Sequence, residues 1–333
     1  MSEESDAFSI KSSSSTSDSL TDSLPEGFRL IGDRRFSTTT KYILPNDETE
    51  ADRLDTQHYV MNNICRLAPR QLIHGNFQSP VEELLEQGIK VLDIGCGSGC
   101  WIVEMAADYP NSTFIGVDAA DVFPKEDLPS NCSFMMVDVL DGLPFEDETF
   151  TYVYQRFLVY AFSPKDWEND IKELTRVTKP GGWVELLEAY VVLERPPTYN
   201  PITQAGTVFS RSQTLHVPIA MCNSRGIDVE YIWEIPNLLR ANNIVDLTCD
   251  YVSCPLNWGG RIGELYGKSF LAAWIGLEPI MAPYLKMTTE EFTRVAELTL
   301  KWYTEKKTWY KAPYVFGRKA EKPLTEESNM LIR

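Results

Sequence analysis

From Lys90 to Leu187 the chain alternates short apolar bursts with longer stretches whose apolar residues recur every three to four positions. Bursts of that length suit buried strands and the longer rhythm suits amphipathic helices, so the alternation predicts βαβ units and a mostly parallel sheet. Residues 91–94, 114–118, 134–138, 149–155 and 183–187 read as successive strands. Trp101, Ile102, Met105, Ala106 and Tyr109 share one helical face that ends at Pro110-Asn111. A second such face, Trp167, Ile171, Leu174 and Val177, follows the start signal Ser163-Pro164-Lys165-Asp166 and stops at Lys179-Pro180-Gly181-Gly182.

The flanks have a different rhythm. Residues 1–27 are rich in Ser, Asp, Glu and Thr, with the run Ser12-Ser13-Ser14-Ser15, and hold too little apolar surface to offset the entropy of ordering, which predicts a disordered acidic tail. Order is expected from about Phe36 or Tyr42. A helix over 48–67 carries Leu54, Val60, Met61 and Ile64, and another starts at Ser79-Pro80-Val81-Glu82 with a capping box and ends at Gly88. Beyond Pro196-Pro197 the pattern predicts helix over 201–240, a strand over 244–254, helix over 262–306 and a last strand over 308–318.

Composition narrows the function classes. A chain of 333 residues, 43% hydrophobic and 24% charged, can bury a sizeable core. Its net charge of −17 argues against nonspecific binding to nucleic-acid backbones. No apolar run reaches the roughly 18–20 residues of a membrane span, and the N-terminus lacks a secretory pattern. Arg34-Arg35 and Lys306-Lys307 are only pairs, so a cytoplasmic location is expected, with a nuclear one open. Three histidines and seven cysteines without metal-ligand spacing predict no metal site.

The chemistry gathers where strands end. Asp93, Asp118 and Asp138 lie 25 and 20 residues apart, a spacing that delivers acids to one end of a parallel sheet, where ligands of open α/β folds bind. Gly95-Cys96-Gly97-Ser98-Gly99 separates the first strand from the first helix and can bring backbone N–H groups close to an anionic ligand. Counted from Gly95 or Gly97, the last position of a dinucleotide fingerprint falls on Cys100 or Ile102, so a nicotinamide oxidoreductase lacks its third glycine. Asp118 suits the two hydroxyls of a ribose. Asp138 suits an exocyclic adenine amine, with the N–H of Val139 for a ring nitrogen.

With these motifs the chain resembles the class I S-adenosylmethionine-dependent methyltransferases, in the fungal LaeA-like group. Tyr42-Ile43-Leu44-Pro45-Asn46-Asp47 and Arg53-Leu54-Asp55-Thr56-Gln57-His58 are similar to that group's N-terminal signature, and Gly142-Leu143-Pro144-Phe145 and Arg176-Val177-Thr178-Lys179-Pro180-Gly181-Gly182-Trp183 to its later motifs. The resemblance spans about residues 36–195. It implies a Rossmann-like fold with a seven-stranded, mostly parallel sheet, an N-terminal helical lid (28–89), a cofactor-binding core (90–195) and a C-terminal part (196–333) whose helical insertion receives the acceptor. It implies further that Asp93, Gly95, Cys96 and Gly97 line the methionyl part of S-adenosylmethionine, Asp118 and Ala119 its ribose, and Asp138 and Val139 its adenine. Gln155, Arg156 and His58 become candidates on the acceptor side. Cys96 stands where the group often has a small threonine. The acceptor is a small molecule or a protein, no Asn-Pro-Pro-Tyr stretch points to amino groups of bases, and a cofactor-binding regulatory scaffold is the rival from another class.

Overall fold

The computed structural model describes residues 24, 26–67, 75–195 and 216–321. His74, the first part of the expected 201–240 helix and all of the acidic tail but residues 24, 26 and 27 lie outside them. Order begins earlier than the sequence suggested, with a hairpin. β1 (Phe28–Ile31) and β2 (Arg34–Ser37) pair antiparallel across Gly32-Asp33. Gly32 takes φ 64°, which a tight hairpin turn demands and glycine supplies without steric cost.

Asp47 then starts α1 (Glu48–Leu67) by accepting the Glu50 N–H at 3.1 Å, while its carboxylate takes both prongs of Arg34 at 2.7 and 2.8 Å. The hairpin is thereby tied to the helix that follows. The next helix, α2 (Glu82–Gln87), begins later than its sequence signal, because Ser79 does not cap it. The Ser79 hydroxyl donates instead to Glu185 at 2.7 Å. Gly88 ends α2 at φ 102°.

The parallel block follows the predicted rhythm. β3 (Lys90–Ile94), α3 (Cys100–Asp108), β4 (Thr113–Asp118), β5 (Cys132–Met136), β6 (Phe150–Arg156), α4 (Pro164–Val177) and β7 (Thr178–Leu187) give the lateral order β5-β4-β3-β6-β7, all parallel. α4 opens on a full capping box between Ser163 and Asp166, with Pro164 in its first turn. β7 starts sooner than expected, at Thr178, and absorbs Pro180-Gly181-Gly182 as a register shift against β6.

Then come β8 (Tyr190–Glu194), α5 (His216–Ser224), α6 (Ile235–Ala241), β9 (Ile244–Pro255), α7 (Arg261–Gly276), α8 (Glu278–Tyr284), α9 (Thr289–Lys306) and β10 (Trp309–Lys319). β10 alone runs against the others, pairing antiparallel with β7, β8 and β9. The sheet has eight strand segments where seven strands were expected. β8 continues the line of β7 along one edge of β10, with Tyr314 opposite Leu187 and Lys311 opposite Tyr190, so the segments fill seven lateral positions. The helices α7, α8 and α9 form an insertion between the last two strands.

Two cores flank the sheet. Val91, Phe114, Tyr152 and Tyr154 face α3 on one side, where Trp101 stacks on Tyr154 at 4.3 Å. Leu92, Ile94, Val153 and Val184 face Trp167, Ile171 and Leu174 of α4 on the other. No helix among the described residues is long and apolar enough to cross a membrane.

Candidate active site

One cavity of about 210 Å³ opens over the carboxyl ends of β3, β4, β5 and β6, and α1 and the 37–47 segment cover it. Gly95, Cys96, Gly97, Asp118, Ala119, Asp138, Val139, Arg156 and His58 all line it. These positions are far apart in sequence and come together because parallel strands share one direction.

Its floor is the turn between β3 and α3. Gly95 and Gly97 hold φ of 65° and 56°. A Cβ on Gly95 would stand 2.7 Å from Leu158, and one on Gly97 would stand 3.1 Å from Leu54 of α1, so only glycine lets lid and loop close to this distance. Asp118 is bound to the same turn. One of its oxygens accepts the Gly97 N–H at 2.8 Å, and the other accepts the Ala120 N–H at 2.8 Å. Burial raises the Asp118 pKa and these two bonds hold it back, so the carboxylate is fixed in place before any ligand arrives. Asp138 accepts the Leu140 N–H at 2.9 Å and caps the short 3-10 turn Val139–Asp141, which sets Val139 against the cavity.

Asp93 departs from its expected place. It lies beneath the turn rather than on the cavity wall, and both its oxygens are buried without a hydrogen-bond partner among the described residues. Burial pushes its pKa up to about 7, with Arg156 drawing it down and Asp118 raising it. Gln155 also departs. Neighbouring residues of a strand point to opposite faces, so with Arg156 turned to the cavity Gln155 must face away. Its amide donates to Asp170 of α4 at 2.9 Å in the core.

The lid motif at 53–58 is used almost residue by residue. Arg53 grips Glu50 at 2.7 and 2.8 Å and reaches Gln57 at 3.1 Å. Leu54 closes over Gly97, and Asp55 accepts the Cys100 thiol at 2.8 Å. His58 connects lid to sheet, with Nε2 2.6 Å from Glu104 of α3 and Nδ1 3.1 Å from Arg156. A guanidinium can only donate, so Nδ1 accepts and Nε2 carries the proton toward Glu104. The imidazole is therefore neutral, in line with a pKa lowered first by burial. Glu104, its own pKa lowered chiefly by His58, also accepts from Asn62 at 3.1 Å.

Glu104 and Glu188 were missed by sequence reasoning. Glu104 is the one charged residue over 100–107, an anomaly that could have flagged it. Glu188 has no such signal. It accepts the N–H groups of Leu158 and Val159, both at 3.0 Å, and so fixes the loop after β6 that forms a cavity wall. Cys254 is fully buried beside Met61. Among the described residues no group of three or more His, Cys, Asp or Glu is placed to hold a metal.

Comparison with known proteins points to one family. The family described as "Methyltransferase domain" matches residues 91–182. Methyltransferase str2 of Strobilurus tenacellus is 33% identical over 163 residues, covering 47% of this chain and 54% of the relative. The secondary metabolism regulator laeA of Coprinopsis cinerea is 37% identical over 158 residues, 46% of this chain and 38% of the relative. The secondary metabolism regulator LAE1 of Cochliobolus heterostrophus is 30% identical over 223 residues, 65% and 66% of the two chains. The chain spans about half the length of the first of these relatives.

Proposed function

We propose, for a chain that carries a class I S-adenosylmethionine-dependent methyltransferase domain of the LaeA-like group, that the protein transfers a methyl group from that cofactor to a small-molecule or protein acceptor. The observation that carries the reading is one cavity shared by the glycine turn, Asp118 and Asp138, with the partnerless carboxylate of Asp93 directly below. A buried acid with no donor is costly unless a ligand group compensates it. A cofactor with an α-ammonium group, a ribose and an adenine fits that row.

In this reading Gly95, Cys96 and Gly97 would hold the methionyl part, with Asp93 adding negative charge from beneath. Asp118 and Ala119 would hold the ribose, and Asp138 and Val139 the adenine. When bound, the cofactor supplies an electrophilic methyl group on a sulfonium. The chain's own part is to hold the reactants in line and keep water out, and α1 is placed to do both. Neutral His58, itself held by Glu104, positions the Arg156 guanidinium on the cavity wall. Arg156 would face the acceptor side.

Calorimetry with S-adenosylhomocysteine, followed by tritiated-methyl transfer into fractions of a cell extract, tests this. Binding and label in one fraction are expected; stabilisation by NAD(H) alone would overturn it. A second reading is favoured by relatives named as regulators of secondary metabolism. In it the fold binds cofactor and acts through protein partners, in cytoplasm or nucleus. Gly97→Asp adds charge and bulk at φ 56° beside Leu54. If that variant lost cofactor and kept full cellular function, the scaffold reading would prevail.

A further inference from the structure

A second chamber, of about 90 Å³, lies behind the first, between α1, α7 and β10. Tyr42, Leu54, Gln57 and Phe157 line both, so the chamber adjoins the cofactor cavity and does not stand as an isolated void. Phe157 holds φ 60° at this boundary, an unfavourable conformation for an aromatic residue, kept by its N–H on the Leu187 carbonyl at 2.9 Å and by the Glu188 grip on the next two residues. The structure thus spends strain to set an aromatic ring between the two spaces.

The far walls are aromatic: Tyr266, Phe270 and Trp274 come from α7 and Tyr310 from β10. Among the described residues the only charged one on the lining is Arg53, and Glu50 already takes its guanidinium through two bonds while both are buried. A charged guest would therefore meet no free counter-charge and would lose its hydration. Among the polar groups on this lining, one hydroxyl is both buried and unpartnered. The Tyr266 hydroxyl is buried, has Gln57 and Cys254 nearby, and makes no well-formed hydrogen bond among the described residues.

We infer that this chamber binds the methyl acceptor, and that the acceptor is a neutral, planar molecule of one or two rings whose single polar group meets the Tyr266 hydroxyl. The inference rests on the methyltransferase reading for the word acceptor, but the chamber's ligand class stands or falls by itself. Apolar walls with one or two placed polar groups are what small-molecule sites are made of.

The test uses the full chain and two probes, 2-naphthol and 2-naphthoate, titrated by ligand-observed NMR with and without S-adenosylhomocysteine. The neutral probe should bind at least about tenfold tighter than the anion, equivalent to about 1.4 kcal/mol. Ala273→Phe, which fills the chamber from α7, should weaken naphthol by about tenfold or more while S-adenosylhomocysteine affinity stays within about twofold. Tyr266→Phe, which keeps the ring packed, should weaken naphthol several-fold and serves if the first variant does not fold. Equal binding of the two probes, or naphthol affinity unchanged in the folded variants, overturns the chamber assignment and leaves cofactor binding untouched. Naphthol bound as expected by a protein that ignores S-adenosylhomocysteine would instead sink the methyltransferase reading and keep the chamber.

Discussion

Two carboxylates, each 1% exposed, sit two strands apart in the sheet, and their surroundings differ completely. Glu185 on β7 accepts from the Gln78 N–H at 2.8 and 3.0 Å, from the Ser79 N–H and hydroxyl at 2.8 and 2.7 Å, and from the Tyr152 hydroxyl at 2.9 Å. Asp93 on β3 accepts from nothing among the described residues. Equal burial with opposite satisfaction separates two jobs. The β7 region spends its acids on architecture: Glu185 ties the entry to α2 onto the sheet, and Glu188 ties the loop after β6. The rim after β3 keeps an acid in reserve beneath a cavity, where a ligand can complete it.

The largest effect should come from the satisfied acid. Glu185→Ala strands several buried donors and should cost about 3 kcal/mol or more in urea unfolding. Asp93→Asn removes an unpaired charge and should cost less than about 1 kcal/mol by the same measurement. If the two variants lost equal stability, the comparison would collapse.

Affinity should show the reverse order. Asp118→Ala should weaken S-adenosylhomocysteine more than about tenfold in calorimetry, since its carboxylate is already aimed by two backbone N–H groups. An unchanged affinity would mean that the ribose is held elsewhere. Arg156→Met should cut turnover about tenfold while sparing cofactor affinity, the pattern of a contact made late in the reaction. Normal turnover in this variant would move the acceptor away from β6.

The smallest effect concerns pH. A carboxyl whose folded pKa of about 7 exceeds its unfolded value near 3.8 keeps its proton in the folded state. Its contribution to stability therefore falls as pH rises from about 4 to about 7. A cationic ligand group above Asp93 favours the ionised form, so S-adenosylhomocysteine affinity should rise several-fold from pH 6 to pH 8 with proton release on binding. Asp93→Asn should flatten that rise. A slope that survived in the variant would place the titrating group elsewhere.

Sequence by itself determined the parallel block and the row of acids. Strand and helix periods differ, glycine and proline mark their ends, and strands of one direction must bring Asp118 and Asp138 to one edge. Gln155 and Arg156 were both expected on the acceptor side, although strand alternation forbids two neighbours from reaching one cavity, and the structure turns Gln155 to Asp170 in the core. Only the tertiary structure decided the rest. The β1–β2 hairpin strands, four residues each, are too short for periodicity to mark, and β8 follows β7 after only two residues with no glycine or proline to separate them. Ser79 looked like a cap until Glu185, more than a hundred residues away, took its hydroxyl. The His58–Glu104–Arg156 chain and the side chamber join α1, α3, β6, α7 and β10, whose contacts depend on packing between distant segments and leave no local pattern to read.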